Sequence, residues 1–163
     1  MTNLQVMPPG GGEALWFLDT LMHVKLPGAA TRGELAVFEQ LAPPGSATPM
    51  HRHDETDEHF FVLSGSLVFH GAGEPRQCSE GAFVTVPRGT THGFRVTDDG
   101  PARLLVFTAP ATFEGFVRAV GRPAPVSELP PAGPPPDPTA VQQLAGIGAL
   151  HDVVIVGPPP AAV

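Results

Sequence analysis

Between Ala14 and Thr108 the apolar residues come in short runs, each soon cut by a proline, a glycine or an acidic turn. Runs of this length, rich in valine, leucine and phenylalanine, suit strands, and 19 glycines with 21 prolines leave little room for long uninterrupted helices. Ala14 to Leu26 (ALWFLDTLMHVKL) reads as one or two strands. After a loop from Pro27 to Gly33, Glu34 to Leu41 reads as the next strand despite considerable helix propensity, and Pro43, Pro44 and Gly45 stop it. Met50 to Phe69 predicts two or three strands with a tight hairpin turn at Ser64 and Gly65, flanked by FFVL and SLVF. Gly71 to Glu80 is polar and turn-rich. Ala82 to Val86 resumes as a strand ended by Pro87 and Gly89. His92, Phe94 and Val96 then share one strand face, and Arg103 to Thr108 follows the turn DDGP. Short strands at near-regular spacing predict an all-β body, a barrel or double-sheet jelly roll.

The character changes after the last of these strands. Phe113, Phe116, Val117 and Val120 fall at i, i+3, i+4 and i+7, which predicts a short helix packed on the barrel with Thr112 as its N-cap. Half of the residues from Pro123 to Pro138 are proline, so this stretch is expected to run as an extended strap. Asp137 and Pro138 suit the cap and first position of a second helix, Thr139 to Leu150, with Val141, Leu144 and Ala145 facing inward. VVIV at Val153 to Val156 predicts a final strand, paired at a sheet edge or with a partner subunit. A chain of 163 residues fits one domain, in which 1–122 form the barrel and its helix and 123–163 the strap, second helix and terminal strand.

A formal charge of −7 and the absence of a basic run argue against nucleic acid or an anionic membrane as partner and favour a small molecule. Cys78 is the only cysteine, which excludes an intrachain disulfide and cysteine-based zinc sites. The N-terminus lacks a basic segment followed by an apolar one, so a cytoplasmic location is expected.

The metal-binding chemistry is concentrated in Gly45 to Gly65, GSATPMHRHDETDEHFFVLSG. His51 and His53, two apart on an extended segment, point to the same side, and Glu58 has the spacing and parity to face them. This stretch fits G-x5-H-x-H-x4-E-x6-G, and Gly81 to His92 fits G-x5-P-x-G-x2-H through Pro87, Gly89 and His92. The two segments resemble the two motifs of the cupin superfamily. The resemblance implies a cupin-type double-stranded β-helix barrel with a metal held by His51, His53, Glu58 and His92. Val96 stands where the second motif usually ends in asparagine. His59 faces the opposite side from Glu58, while His23, His70 and His151 lack partners at ligand spacing.

Three imidazoles and one carboxylate leave one or two positions open on a divalent first-row metal such as Fe, Mn, Co, Ni, Cu or Zn, and Glu58 can serve as both ligand and base. Phenylalanine is abundant and tyrosine absent, so a pocket lined by Met50, Phe60, Phe94, Phe107, Phe113 and Phe116 would suit an aromatic or polyketide-like ligand. ALWFLDTL, QLAPPG, FEGFVRAVG and VIVGPP extend the resemblance to single-domain quercetinase-like cupins. That resemblance implies dioxygen-dependent cleavage of a flavonol, with Glu58 as base and carbon monoxide released; a homodimer is expected. Cupins also include non-oxidative cyclases and isomerases and non-catalytic small-molecule binders, and these stand as the alternatives.

Overall fold

A computed structural model describes residues 4–162. Its strands are β1 (Glu13–Phe17), β2 (Thr20–Leu26), β3 (Ala36–Ala42), β4 (Met50–Arg52), β5 (Asp57–Ser64) and β6 (Ser66–His70). They continue with β7 (Arg76–Ser79), β8 (Phe83–Val86), β9 (Gly93–Val96), β10 (Ala102–Ala109), β11 (Arg122–Pro123) and β12 (Val154–Gly157). Two helices, α1 (Phe113–Val120) and α2 (Pro138–Ala149), flank β11 in the chain. All pairings are antiparallel. One sheet has the order β11-β1-β2-β3-β10-β5-β8, while β7-β6-β9 and β12-β4 form smaller ones. A bridge between His51 and His92 links β4 to the entry of β9.

The sandwich follows from strict alternation. Ala36, Phe38, Gln40 and Ala42 of β3 face inward, as do Ala102, Leu104, Val106 and Thr108 of β10 and Glu58, Phe60 and Val62 of β5. Leu67, Phe69, Phe94 and Val96 join them in one buried cluster. Burying a side chain of this size contributes about 1.5–3 kcal/mol, so a one-residue slip that turned the alternation outward would forfeit several such terms per strand. The all-β, jelly-roll expectation is met.

Several local expectations are corrected. Ser64 and Gly65 do not make a hairpin: β5 lies in the large sheet and β6 in a small one, so the chain turns a corner between layers. Gly65 holds φ +81°, and a Cβ there would meet Pro101 O at 2.5 Å, so the corner closes directly on the loop before β10. Apolar flanks around a glycine look alike at a hairpin and at a change of sheet. The hairpin near the N-terminus is instead β1–β2, whose turn places Leu18 at φ +55° without the usual glycine or asparagine. The polar stretch after β6 contains β7, whose residues are largely exposed and carry no alternation signal.

Thr112 is itself helical in conformation and caps nothing with its side chain; its hydroxyl bonds that of Thr56 instead. Asp137 does cap α2, accepting from Ala140 N–H at 2.8 Å, with Pro138 at the first position. Val141 is 44% exposed, however, and it is Leu144 and Ile147 that pack on the core. The stretch between β11 and α2 has neither helix nor strand and lies largely exposed. It is tied down where Trp16 Nε1–H donates to Glu128 O (2.7 Å) and His23 Nε2 meets Ser127 Oγ (2.8 Å). Beyond α2, β12 pairs within the chain, on the outer edge of β4.

Candidate metal centre

The four residues singled out from the motifs come together from three places in the fold. His51 lies on β4 and His53 just beyond it, Glu58 projects from β5 in the facing sheet, and His92 immediately precedes β9. His51 and His92 exchange both backbone hydrogen bonds, at 2.9 and 2.8 Å, which sets their rings side by side. One ligand atom from each of the four lies within 4.8 Å of every other, and all four residues are buried.

Each imidazole is oriented through its outer nitrogen. His51 Nδ1 lies 2.8 Å from Pro49 O, His53 Nδ1 2.7 Å from Asp152 O and His92 Nδ1 3.0 Å from Thr90 O. A carbonyl only accepts, so in each case Nδ1 carries the proton and Nε2 faces the cluster. There Glu58 Oε2 lies 2.9 Å from His92 Nε2, 3.3 Å from His53 Nε2 and 4.0 Å from His51 Nε2. His53 Nε2 is buried with no hydrogen-bond partner of suitable geometry. Three inward lone pairs and a carboxylate cannot satisfy one another, because all are acceptors; they need a cation among them. The donor set therefore fits a divalent metal of the first transition row.

The electrostatics agree. Burial alone would raise the Glu58 carboxyl, but the His53 and His92 imidazoles beside it overcome that and hold it well below the usual carboxylate range. Burial lowers His51 to about 4, helped by neighbouring His92. His53 is raised despite its burial, because Glu58 and the Asp152 carbonyl both favour its charged form.

The acidic residues beside the motif have distinct tasks. Asp57 accepts from Arg88 N–H at 2.9 Å and pairs with its guanidinium at 2.7 Å, which lowers its carboxyl to about 2 and fastens the second motif to the first. Gly89 N–H donates to His53 O at 2.6 Å across the same seam. Asp152, which sequence reasoning passed over, does more. Its carboxylate accepts from the Asp54 and Glu55 N–H groups and from the Thr56 hydroxyl, while its carbonyl holds His53. Asp152 adopts φ +60°, a conformation aspartate tolerates, as the chain leaves α2 for β12. No local pattern marks it, since its partners lie 96 to 99 residues earlier.

Beside the cluster opens a cavity that is continuous with solvent. Phe60, Phe94, Phe113 and Phe116 line it together with His51 and Glu58. Met50 and Phe107 do not. Met50 has the opposite parity to His51 and packs against Gly93; Phe107 lies between inward-facing Val106 and Thr108, so it points outward toward Phe83. Leu144, Val153 and Ile155 complete the wall from the C-terminal segment.

This double sheet, with three histidines and a glutamate converging inside it, has the cupin-type architecture. Residues 38–108 match the cupin domain family. It is 29% identical over 118 residues to quercetin 2,3-dioxygenase from Bacillus subtilis, covering 72% of this chain and 35% of that protein. The chain thus spans about a third of that relative's length. Among solved structures, the polyketide cyclase RemF from Streptomyces resistomycificus superposes with a TM-score of 0.58 at 22% identity, covering 67% of this chain and 80% of the other. A cupin sugar phosphate isomerase from Silicibacter pomeroyi gives 0.57 at 21%, covering 64% and 75%. These two likenesses show the fold alone. No helix among the described residues is long and apolar enough to cross a membrane.

Proposed function

We propose that this protein is a metal-dependent dioxygenase acting on a flavonol-like or other enolisable aromatic molecule. The observation that carries the reading is the position of Glu58: its carboxylate belongs to the metal cluster and also lines the apolar cavity. His51, His53, His92 and Glu58 would hold the metal, which when bound acidifies a substrate hydroxyl and supplies the one-electron chemistry that dioxygen requires.

The chain's own residues account for the rest. Glu58 accepts the proton of the enolisable hydroxyl, a role its position supports, since its carboxylate lies at once in the ligand cluster and on the cavity wall. Phe60, Phe94, Phe113 and Phe116 present ring edges and faces to a flat aromatic substrate. Leu144, Val153 and Ile155 limit water at the site, which protects a reactive enolate from reprotonation. The similarity to a quercetin dioxygenase supports the same substrate class.

The test begins with elemental analysis of the purified protein and continues with oxygen-electrode assays against a flavonol panel. Substrate-dependent oxygen uptake with ring cleavage is the expected result. Equal turnover in air and under nitrogen would replace the proposal with a non-oxidative cyclase or isomerase. Ligand binding without any turnover, with either gas and each metal tried, would leave a binding cupin.

A further inference from the structure

Gln40 differs from its surroundings in the cavity. It is 4% exposed and contributes an amide to a lining otherwise dominated by phenylalanine, leucine, methionine and valine. Burying an amide without partners is costly, and this one has capacity to spare. The Thr20 hydroxyl donates to Phe17 O at 2.8 Å, so a lone pair of Thr20 faces Gln40 and Gln40 Nε2 donates to it at 3.3 Å. That relay sets the orientation of the amide and turns its carbonyl oxygen away from Thr20. The described residues supply no donor to that oxygen.

The ladder places this group relative to Glu58. Gln40 pairs with Leu104 on β10, whereas Glu58 pairs with Thr108 on the other side of the same strand. Both side chains face the interior, two strands and four residues apart, so their α-carbons are separated by roughly 16 Å at ordinary strand spacing. The cavity reaches both.

We propose that Gln40 is the distal anchor of the cavity, accepting a hydrogen bond from a ring hydroxyl remote from the enolisable oxygen at Glu58. The inference rests on the substrate class proposed above and narrows it to elongated molecules of two or more rings with a hydroxyl at the far end. A single-ring phenol is too short to reach both groups.

The test is an equilibrium titration of the purified protein under nitrogen, followed by ligand absorbance, with quercetin and with 3-hydroxyflavone. The two share the enolisable ring, and the second lacks the distal hydroxyls. Wild type is expected to bind quercetin roughly tenfold more tightly, the effect of one buried hydrogen bond. Gln40→Met is expected to abolish that preference by weakening quercetin about tenfold while leaving 3-hydroxyflavone unchanged. If this variant misfolds, as a thermal melt would reveal, Thr20→Val should reduce the same preference by loosening the amide. Equal affinities in wild type, or equal losses for both ligands in Gln40→Met, overturn the inference. The selectivity without oxygen uptake upholds it and ends the dioxygenase reading instead; binding of neither flavonol overturns both.

Discussion

Two regions build the metal centre in different ways. The segment from Gly45 to His92 supplies every candidate ligand, in order, on β4, β5 and the entry to β9. The segment from α2 to β12 supplies no ligand, yet it holds His53 through Asp152, pairs with β4 and closes the cavity with Leu144, Val153 and Ile155. The first region carries chemistry and the second carries geometry. An imidazole nitrogen binds a metal whatever surrounds it, but it does so at a useful angle only when its other nitrogen is held.

The comparison is broken most severely at Glu58. Glu58→Gln keeps the shape of the side chain and removes the base, so turnover should fall roughly 10²- to 10⁴-fold in steady-state assays. A variant with unchanged turnover would show that the carboxylate serves only as a ligand or not at all.

Asp152→Ala tests the geometric region. It leaves every ligand in place but releases the 54–56 loop, and metal affinity should fall roughly 10- to 100-fold in a competition titration. Stability should drop by about 1–3 kcal/mol in urea unfolding, since two backbone N–H groups and a hydroxyl lose their acceptor. Unaltered metal affinity would reduce Asp152 to a loop staple.

The two faces of α2 sharpen the contrast at smaller scale. Leu144→Ala should destabilise the protein by about 1–2 kcal/mol, a reduced form of the cost for a fully buried leucine, because Leu144 is only partly buried. Val141→Ala, on the exposed face, should stay within roughly 0.5 kcal/mol. Equal losses by chemical denaturation would mean that the helix is held differently from the way its burial indicates.

The smallest effect concerns the strap and pH. Burial lowers the His23 pKa below its ordinary value, so the folded state favours the neutral ring. The resulting stability is fully present above the unfolded value of about 6.5 and is lost as pH falls through it toward the lower folded value. His23→Gln should therefore flatten the decline in stability between about pH 7.5 and 5 by less than roughly 1 kcal/mol. Trp16, the only tryptophan, donates to Glu128 of the same strap, and its fluorescence provides the readout. An identical slope in both proteins would remove His23 from the account.

Much of the site was legible because metal ligation depends on residue type and parity, which are local properties. His51 and His53 share a face by counting along extended chain, Glu58 lies an odd number of residues away and meets them from the facing sheet, and His92 follows from its own motif. Parity also separates Met50 and Phe107 from the cavity: both are apolar, but each lies one residue from an inward-facing neighbour and so points away. Val96 remains fully buried within β9, so the strand forms without the motif's usual asparagine.

By itself the sequence determined the strand-rich architecture, the short helices and the four residues able to hold a metal, because periodicity and side-chain chemistry act over a few residues. Only the tertiary structure decided that Gly65 changes sheets, that β12 lies on β4, that Asp152 orients His53, and that Gln40 shares a cavity with Glu58. Each of those relations joins residues far apart in the chain or depends on which sheet a strand enters. Long-range pairing is set by burial and hydrogen-bond satisfaction over the whole fold, and no window of sequence contains it.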